Sequence, residues 1–271
     1  MRTENKQFMH RGEYWFSLLT QNMTLRQGLC PSVNVADGLF KGKPASVITV
    51  VPDEQNQYPR AKHGEVGLLE GWTLAKAINE IIQQDAALNE KRAIIAVIDV
   101  PSQAYGRREE AFGIHQALAG AAGAYANARL QGHPIVGLMV GKAMSGAFLA
   151  HGYQANQIIA FDDPNVMTHA MGKESAARIT LRSVDALEKL AKTIPPMAYD
   201  IKQFATLGIL SKLMTISHPD HASENDVKTV QTELSQAIER ARQQGVYLSH
   251  RLDGENRKSS KLVRERMRQE W

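Results

Sequence analysis

The sequence predicts an α/β fold with a largely parallel sheet, and three observations predict it. The runs Ile94–Ile98 and Ile135–Val140 are almost unbroken in apolar character, which is how strands buried on both faces read. Stretches with a 3.6-residue apolar period lie between the strand-like runs. Each of the two runs also leads through a loop of small residues into a helix. One such unit is centred on Ile98–Gly106 and the other on Val140–Gly146, with no sequence duplication between them.

In chain order, a short helix is expected around Tyr14–Gln21 and a strand over 46–51, SVITVV. A helix over Val66–Gln84 follows, because Leu68, Leu69, Trp72, Ala75, Ile78, Ile81 and Ile82 keep the helical period. The strand RAIIAVIDV stops at Asp99 and Pro101. An alanine-rich helix is then predicted over Glu109–Leu130, ended by Gln131–Gly132–His133–Pro134. The strand IVGLMV gives way to the small-residue segment and another helix. QIIAF reads as a short strand, and a further strand is expected over Asn165–Thr168. Helices follow over Ser183–Thr193, over Pro195–Leu207 with the proline pair as a start signal, and over 224–248. The last twenty residues are charged and read as a helix or a mobile tail.

A 271-residue chain that is 43% hydrophobic can bury one large core with extensions. The expected division is a lead-in segment at 1–30, an α/β domain at 31–222 and a helical extension at 223–271. The net charge of +4 is too small to argue for nucleic acid. Arg251, Arg257, Lys258, Lys261, Arg264, Arg266 and Arg268 cluster near the end. Asp253, Glu255, Glu265 and Glu270 dilute them, so the tail reads as a solvated helix rather than a docking arm. One cysteine, Cys30, excludes an internal disulfide framework and suits a reducing compartment. The N-terminal stretch MRTENKQFMHRGEYW has no apolar core of a secretory signal, and no apolar run approaches a membrane span. A soluble, cytoplasmic protein with no nucleic-acid or membrane partner is expected.

The chemistry is concentrated in VGKAMSGAFLAHG, residues 140–152. Gly141, Ala143, Ser145, Gly146 and Ala147 carry almost no side chain, which suits a backbone that something approaches closely. A strand feeding a helix also leaves backbone N–H groups free at the helix start. Gly146, with Ser145, is therefore the expected donor of an oxyanion hole, and the Tyr105–Gly106 loop could offer a second, in this chain or towards a partner. Tight helix-on-sheet packing selects the same small residues. Ser145 is the only hydroxyl in the segment; His169 or His151 could serve it as a base, or it could cap the helix. His218 and His221 read as a surface turn rather than a metal site. Asp162–Asp163 read as a turn cap. Gly64, Gly67 and Gly71 match no phosphate-binding pattern. The Arg107–Arg108 pair could meet an anion or solvent. No metal is expected.

The unit IIAVIDVPSQAYGRREEAFGIHQALAG, followed by PIVGLMVGKAMSGAFLAHG, QIIAF and NVMTHAMG, resembles the carboxyltransferase branch of the crotonase superfamily. Within it, the chain is most similar to the gamma subunits of malonate decarboxylases, over about residues 30–210. The resemblance implies repeated ββα units with a helical C-terminal extension. It implies pairing with a homologous beta subunit, and decarboxylation of a malonyl thioester on an acyl carrier protein to the acetyl thioester through a stabilised enolate. The thiol would belong to a CoA-derived prosthetic group of the phosphoribosyl-dephospho-CoA type on the carrier, with no cofactor on this chain. An acyl-carrier transferase subunit is implied as well. Gly146, Ser145, Gly106, Tyr105 and His169 are then the catalytic candidates, and Gly141, Ala143, Met144 and Ser102 would line the substrate. Ser102 stands where glycine is usual. Ala147, Phe148 and Leu149 stand where hydratases of the superfamily carry glutamates, and His169 where a second acid is expected, which argues against hydration. Three alternatives remain: a biotin-dependent acyl-CoA carboxyltransferase subunit, a Clp-like serine peptidase using Ser145 and His169, and a non-catalytic subunit.

Overall fold

The structure, a computed structural model, describes residues 10–271. Residues 1–9 of the expected lead-in segment lie outside the described residues. The first helix, α1 (Arg11–Leu19), starts three residues earlier than the apolar pattern suggests. It drives Trp15 into the core, where the ring meets Phe161 edge-on at 4.8 Å and Nε1 donates to the Pro219 carbonyl. Strands β1 (Thr24–Leu25), β2 (Val33–Phe40) and β3 (Lys43–Val50) form an antiparallel meander. Helix α2 (Leu68–Gln84) then begins where Glu70 accepts a hydrogen bond from the Gly67 N–H at 2.9 Å. Cys30, half-buried beside α2, is a free thiol that burial pushes to a higher pKa.

Strand β4 (Ala93–Val100) is buried at every position, as its apolar run requires. Next comes a departure from expectation. The alanine-rich stretch is two helices, α3 (Arg107–Ala111) and α4 (Ile114–Leu130), separated at Gly113, whose φ of +79° breaks the helical path. In α4, Ala117, Ala121, Ala124 and Ala128 form a stripe of small buried residues. A Cβ on Gly71 would lie 2.7 Å from the Ala117 backbone, so the glycine of α2 serves close helix–helix packing.

Strand β5 (Ile135–Met144) runs past Val140 and takes in Gly141 and Ala143 before α5 (Ser145–Ala150) starts. Strands β6 (Gln157–Phe161) and β7 (Thr168–His169) follow. The expected strand over Asn165–Thr168 is therefore displaced, because Asn165 and Val166 are held in a turn by Asp163. Helices α6 (Lys173–Ile179) and α7 (Val184–Ala191) come next. The expected helix over Pro195–Leu207 is a 3₁₀ turn at Pro195–Met197 and a short α8 (Ile201–Ala205), with Ala198 extended between them. Strand β8 (Lys212–Met214), α9 (Glu224–Gln244) and α10 (Lys258–Glu270) complete the chain. Gly245, at φ +75°, ends α9 short of the predicted 248.

The main sheet has the order β1-β2-β3-β4-β5-β6-β8 and is parallel from β3 onward. Pairing shifts register between Ile98 and Val100, and the short pairs beyond that point, which branch off the main strand order where β7 joins β5, form what is termed the crossing layer. There Val66 pairs with Gln103, Val100 with Ala143, and Ala143 with Thr168. Each unit is thus a long strand in the main sheet, a short one in the crossing layer, and a helix. This ββα design occurs at β3–Val66–α2, at β4–Gln103–α3/α4, at β5–Ala143–α5 and at β6–β7–α6. Among the described residues no helix is long and apolar enough to cross a membrane.

Candidate active site

The third unit turns from strand to helix with no intervening loop. Met144 is extended, and Ser145, the first residue of α5, has φ +52°. A non-glycine residue in the left-handed region stores strain of about 1 kcal/mol or more, which surrounding bonds must hold. They come from the crossing layer. The Gln103 N–H donates to Ser145 Oγ at 3.1 Å, and the Gly146 N–H donates to Gln103 Oε1 at 3.2 Å. Gln103 is itself fixed, because the Val66 N–H donates to Ser102 O at 3.1 Å and the Ala104 N–H to Val66 O at 2.8 Å. A Cβ on Gly146 would fall 2.2 Å from Gln103 Oε1 and 2.9 Å from Leu118 Cδ2. The smallness of Gly146 therefore leaves room for an oxygen at its N–H.

That oxygen is the chemical content of the site. Gln103 Oε1 is a neutral carbonyl-type acceptor on a rotatable side chain, and Ser145, Gly146 and Gln103 are all half-buried. A thioester oxygen has the same shape and the same hydrogen-bonding role. An N–H placed this way favours that oxygen more strongly as it becomes an oxyanion.

The structure brings only some of the candidates to this point. Gln103, which the sequence did not single out, reaches Gly146. Tyr105 is exposed, and Gly106 opens α3 with its Cα against Glu109 and Arg60. Among the described residues no hydrogen bond ties either one to the 144–146 turn. The Ser102 hydroxyl donates to the Gln103 carbonyl at 3.0 Å. Ala143 and Met144 are buried inside the crossing layer. Gly141 is small for another reason: a Cβ there would lie 2.1 Å from Asp99 Oδ1. Asp99 accepts from the Lys142 N–H at 2.9 Å and the Gly12 N–H at 3.2 Å, and His10 Nε2 lies 3.3 Å from its carboxylate. A cavity of about 310 Å³ opens beside it, lined in part by His10, His63, Asp99 and Lys142.

The histidines do not form a dyad with Ser145. His169 pairs with Met144 across β7 and β5, but its Nδ1 is occupied by Met171 and its ring stacks on Tyr199 at 4.0 Å. Burial lowers its pKa. His151 is fully buried. Its Nε2 lies 2.9 Å from the Val97 carbonyl, an acceptor only, so Nε2 carries the proton and Nδ1 accepts from the Tyr125 hydroxyl at 3.0 Å. Burial pushes His151 down to about 4 and the Tyr125 phenol up. It is a neutral structural group rather than a base for Ser145. His221 donates its N–H to the His218 carbonyl in a turn, and among the described residues no three His, Cys, Asp or Glu side chains gather where they could hold a metal. Arg108 lies over the rings of Tyr58 and Phe112.

The family model described as malonate decarboxylase gamma subunit matches residues 61–271. The chain belongs to this family. A Pseudomonas malonate decarboxylase hetero-tetramer, solved in complex with coenzyme A, contains a chain 53% identical at a TM-score of 0.93, covering 97% of this chain and 100% of that one. The corresponding chain of a Pseudomonas malonate decarboxylase MdcD–MdcE hetero-dimer is 52% identical at 0.89, with the same coverage. A malonyl-S-ACP:biotin-protein carboxyltransferase from Malonomonas rubra is 37% identical over 161 residues, 58% of this chain and 55% of that protein. The match thus spans about half the length of that curated relative. Transcarboxylase 12S, at 16% identity and a TM-score of 0.63 over 89% of this chain and 42% of its own, shares the fold alone. The fold is the crotonase-like carboxyltransferase fold, and the ββα repeat and the Gly146 turn are how this family member builds it.

Proposed function

We propose that the chain is the gamma-type half of a decarboxylase acting on a malonyl thioester, and that Gly146 holds the thioester oxygen during bond cleavage. The observation that carries this reading is the Gly146 N–H, directed at an uncharged oxygen that a substrate oxygen can replace. In the reaction the C–C bond to the carboxylate breaks and CO₂ leaves. The electron pair passes to the α-carbon and is shared with the thioester oxygen as an enolate. Protonation at carbon then gives the acetyl thioester. A donor facing the oxygen stabilises the charge as it grows, and loss of one such donor costs about 10²–10³ in rate.

A homologous beta subunit supplies the rest of the site, in keeping with the hetero-dimeric and hetero-tetrameric assemblies of the Pseudomonas relatives. The thioester is carried by an acyl carrier protein on a prosthetic group of the phosphoribosyl-dephospho-CoA type, loaded by an acyl-carrier transferase subunit. The single half-buried thiol, Cys30, suits the reducing cytoplasm. The test is CO₂ release from malonyl carrier protein by this chain, by the beta subunit and by both. Release only with both, lost in Gly146→Ala, is the expected result. Full release by the beta subunit alone overturns the proposal.

A second reading has its own support. The Malonomonas relative is named for carboxyl transfer to a biotin protein. Dependence of turnover on a biotinylated partner, and its abolition by avidin, would select that reading. The serine-peptidase alternative lacks its dyad, because Ser145 bonds to Gln103 and His169 to Met171.

A further inference from the structure

The charged C-terminal tail, which as sequence reads as a solvated helix, has an unusual electrostatic environment. Arg257, Lys261, Arg264 and Arg268 repeat at spacings of four, three and four, so they share one face of α10 and the turn before it. Lys261 pairs with Asp253 at 3.1 Å. The arginines have no such partner. Arg257, Arg264 and Arg268 line a cavity of about 510 Å³ together with Arg251, and no carboxylate lines it.

Arg251 shows that this is more than a solvated surface. It is 8% exposed. Its two terminal nitrogens donate to the carbonyls of Tyr153 and Ala155 at 2.9 and 2.5 Å, and its Nε is buried with no hydrogen-bond partner. Burial pushes its pKa down to about 10, and neighbouring Arg129 adds to the shift. Arg129 is also buried and is held only by Gln154 and the Val246 carbonyl. The Arg257 Nε donates to the Leu207 carbonyl at 3.0 Å. Among the described residues none of these five guanidiniums meets a carboxylate. Carbonyl dipoles satisfy N–H groups but supply no countercharge, and a buried cation without one is costly.

We propose that the groove between α10 and residues 247–252 binds a compact organic phosphate of the nucleoside-diphosphate class. Guanidinium forks match phosphate oxygens two at a time; Arg264 and Arg268 make no hydrogen bond or ion pair among the described residues, Arg257 keeps its terminal nitrogens free, and the Arg251 Nε–H adds one donor. The other walls suit the rest of such a ligand. Ile209 and Leu252 are apolar, the Tyr153 ring lies under the Arg251 guanidinium and against Phe148, and the Tyr247 ring is 74% exposed and open to stacking. The groove shares no lining residue with the Gly146 turn. The carbonyls that hold Arg251 precede Asn156, whose side chain accepts from the Ile135 N–H at the start of β5, whereas Gly146 follows the end of that strand. Tyr153, one wall of the groove, meets the Phe148 ring of α5 edge-on at 5.3 Å, so the groove lies behind the short helix that carries Gly146. The inference rests on the arginines of this groove and does not depend on the proposed decarboxylation chemistry.

The test is calorimetric titration of the full-length chain with ADP and with inorganic pyrophosphate, at low and physiological ionic strength. Saturable one-to-one binding of ADP is expected, tighter than pyrophosphate and weakened by salt. Arg264→Ser with Arg268→Ser should weaken ADP by about tenfold or more. Both side chains are exposed, so an unchanged melting temperature confirms an intact fold. Arg266→Ser removes the same charge from α10 without touching the groove, and should change ADP affinity less than about twofold. Absence of ADP binding, or an equal loss in Arg266→Ser, overturns the proposal. Equal affinity for pyrophosphate and ADP overturns the nucleoside assignment. Binding of a polyglutamate peptide but not of ADP overturns the site in favour of an acidic protein partner.

Discussion

Gly141 and Gly146 stand close together in the chain, and at each an oxygen of the same protein sits where a Cβ would go. The occupants differ. At Gly141 it is the Asp99 carboxylate, held by the N–H groups of Lys142 and Gly12 and by His10. At Gly146 it is the Gln103 amide, neutral and attached by a rotatable side chain. A charged oxygen with several donors is a structural pin, because removing it strands those donors. A neutral oxygen with one donor can be exchanged for another. Two positions with the same steric requirement thus divide between architecture and, on the proposed function, chemistry, and the nature of the occupant distinguishes them.

That contrast can be broken most forcefully at Gly141. Gly141→Ala should expel Asp99 and cost about 3–5 kcal/mol, read as loss of soluble chain or a large fall in the urea midpoint. A variant as stable as the parent would show that the pin is dispensable. At Gly146 the order of effects should reverse. Gly146→Ala meets only the ends of the Gln103 and Leu118 side chains, so stability should hold while turnover in the assembled enzyme falls about 10²–10³.

Between these two lies the support beneath the turn. His151 is neutral in the folded chain, with its pKa lowered from 6.5 to about 4 by burial. Between those values the unfolded chain binds the extra proton, so the His151 contribution is complete above about pH 6.5 and is lost as pH falls. It should remove about 2 kcal/mol of stability between pH 7 and 5. His151→Gln can keep both hydrogen bonds and should flatten that part of the pH dependence in urea unfolding. Gln103→Ala removes the exchangeable occupant. It should cost about 1 kcal/mol in stability and lower kcat less than about tenfold; a larger fall in kcat would make Gln103 a substrate contact rather than a placeholder. The smallest effect is expected for Ser145→Ala, which loses one hydrogen bond of about 1 kcal/mol and should keep most turnover. Complete loss would return Ser145 to consideration as a nucleophile.

The sequence made the centre of the fold legible because β4, β5 and β6 are buried by their own composition and α2 keeps its period. It concealed β2, since VNVADGLF is only partly buried and is held by pairing with β3 along its length. The break at Gly113 was hidden inside an alanine-rich stretch that suits helix on either side. At the candidate site, the strand-to-helix turn that carries Gly146 was legible from small residues following an apolar strand. Gln103 was not, because a lone glutamine in a loop has no periodic or motif signal; the pairing of Val66 with Gln103 across the crossing layer puts it there. The Gly141 signal was present but had a different cause, since the close approach is made by Asp99 from the neighbouring strand.

The division of β5 between two layers sets an alignment tolerance for the site. Residues 136–139 pair with β6 in the main sheet, whereas Ala143 and Met144 pair with β7 in the crossing layer. The end of the strand is an arm of about two residues, roughly 7 Å, that carries the Gly146 N–H. If the crossing layer turned by about ten degrees, that arm would move the donor by about 1 Å, enough to cost roughly a hundredfold in a positioned reaction. Substitutions that tilt β7 against β5 should therefore act on catalysis as misalignments, even where they touch neither Gly146 nor its oxygen.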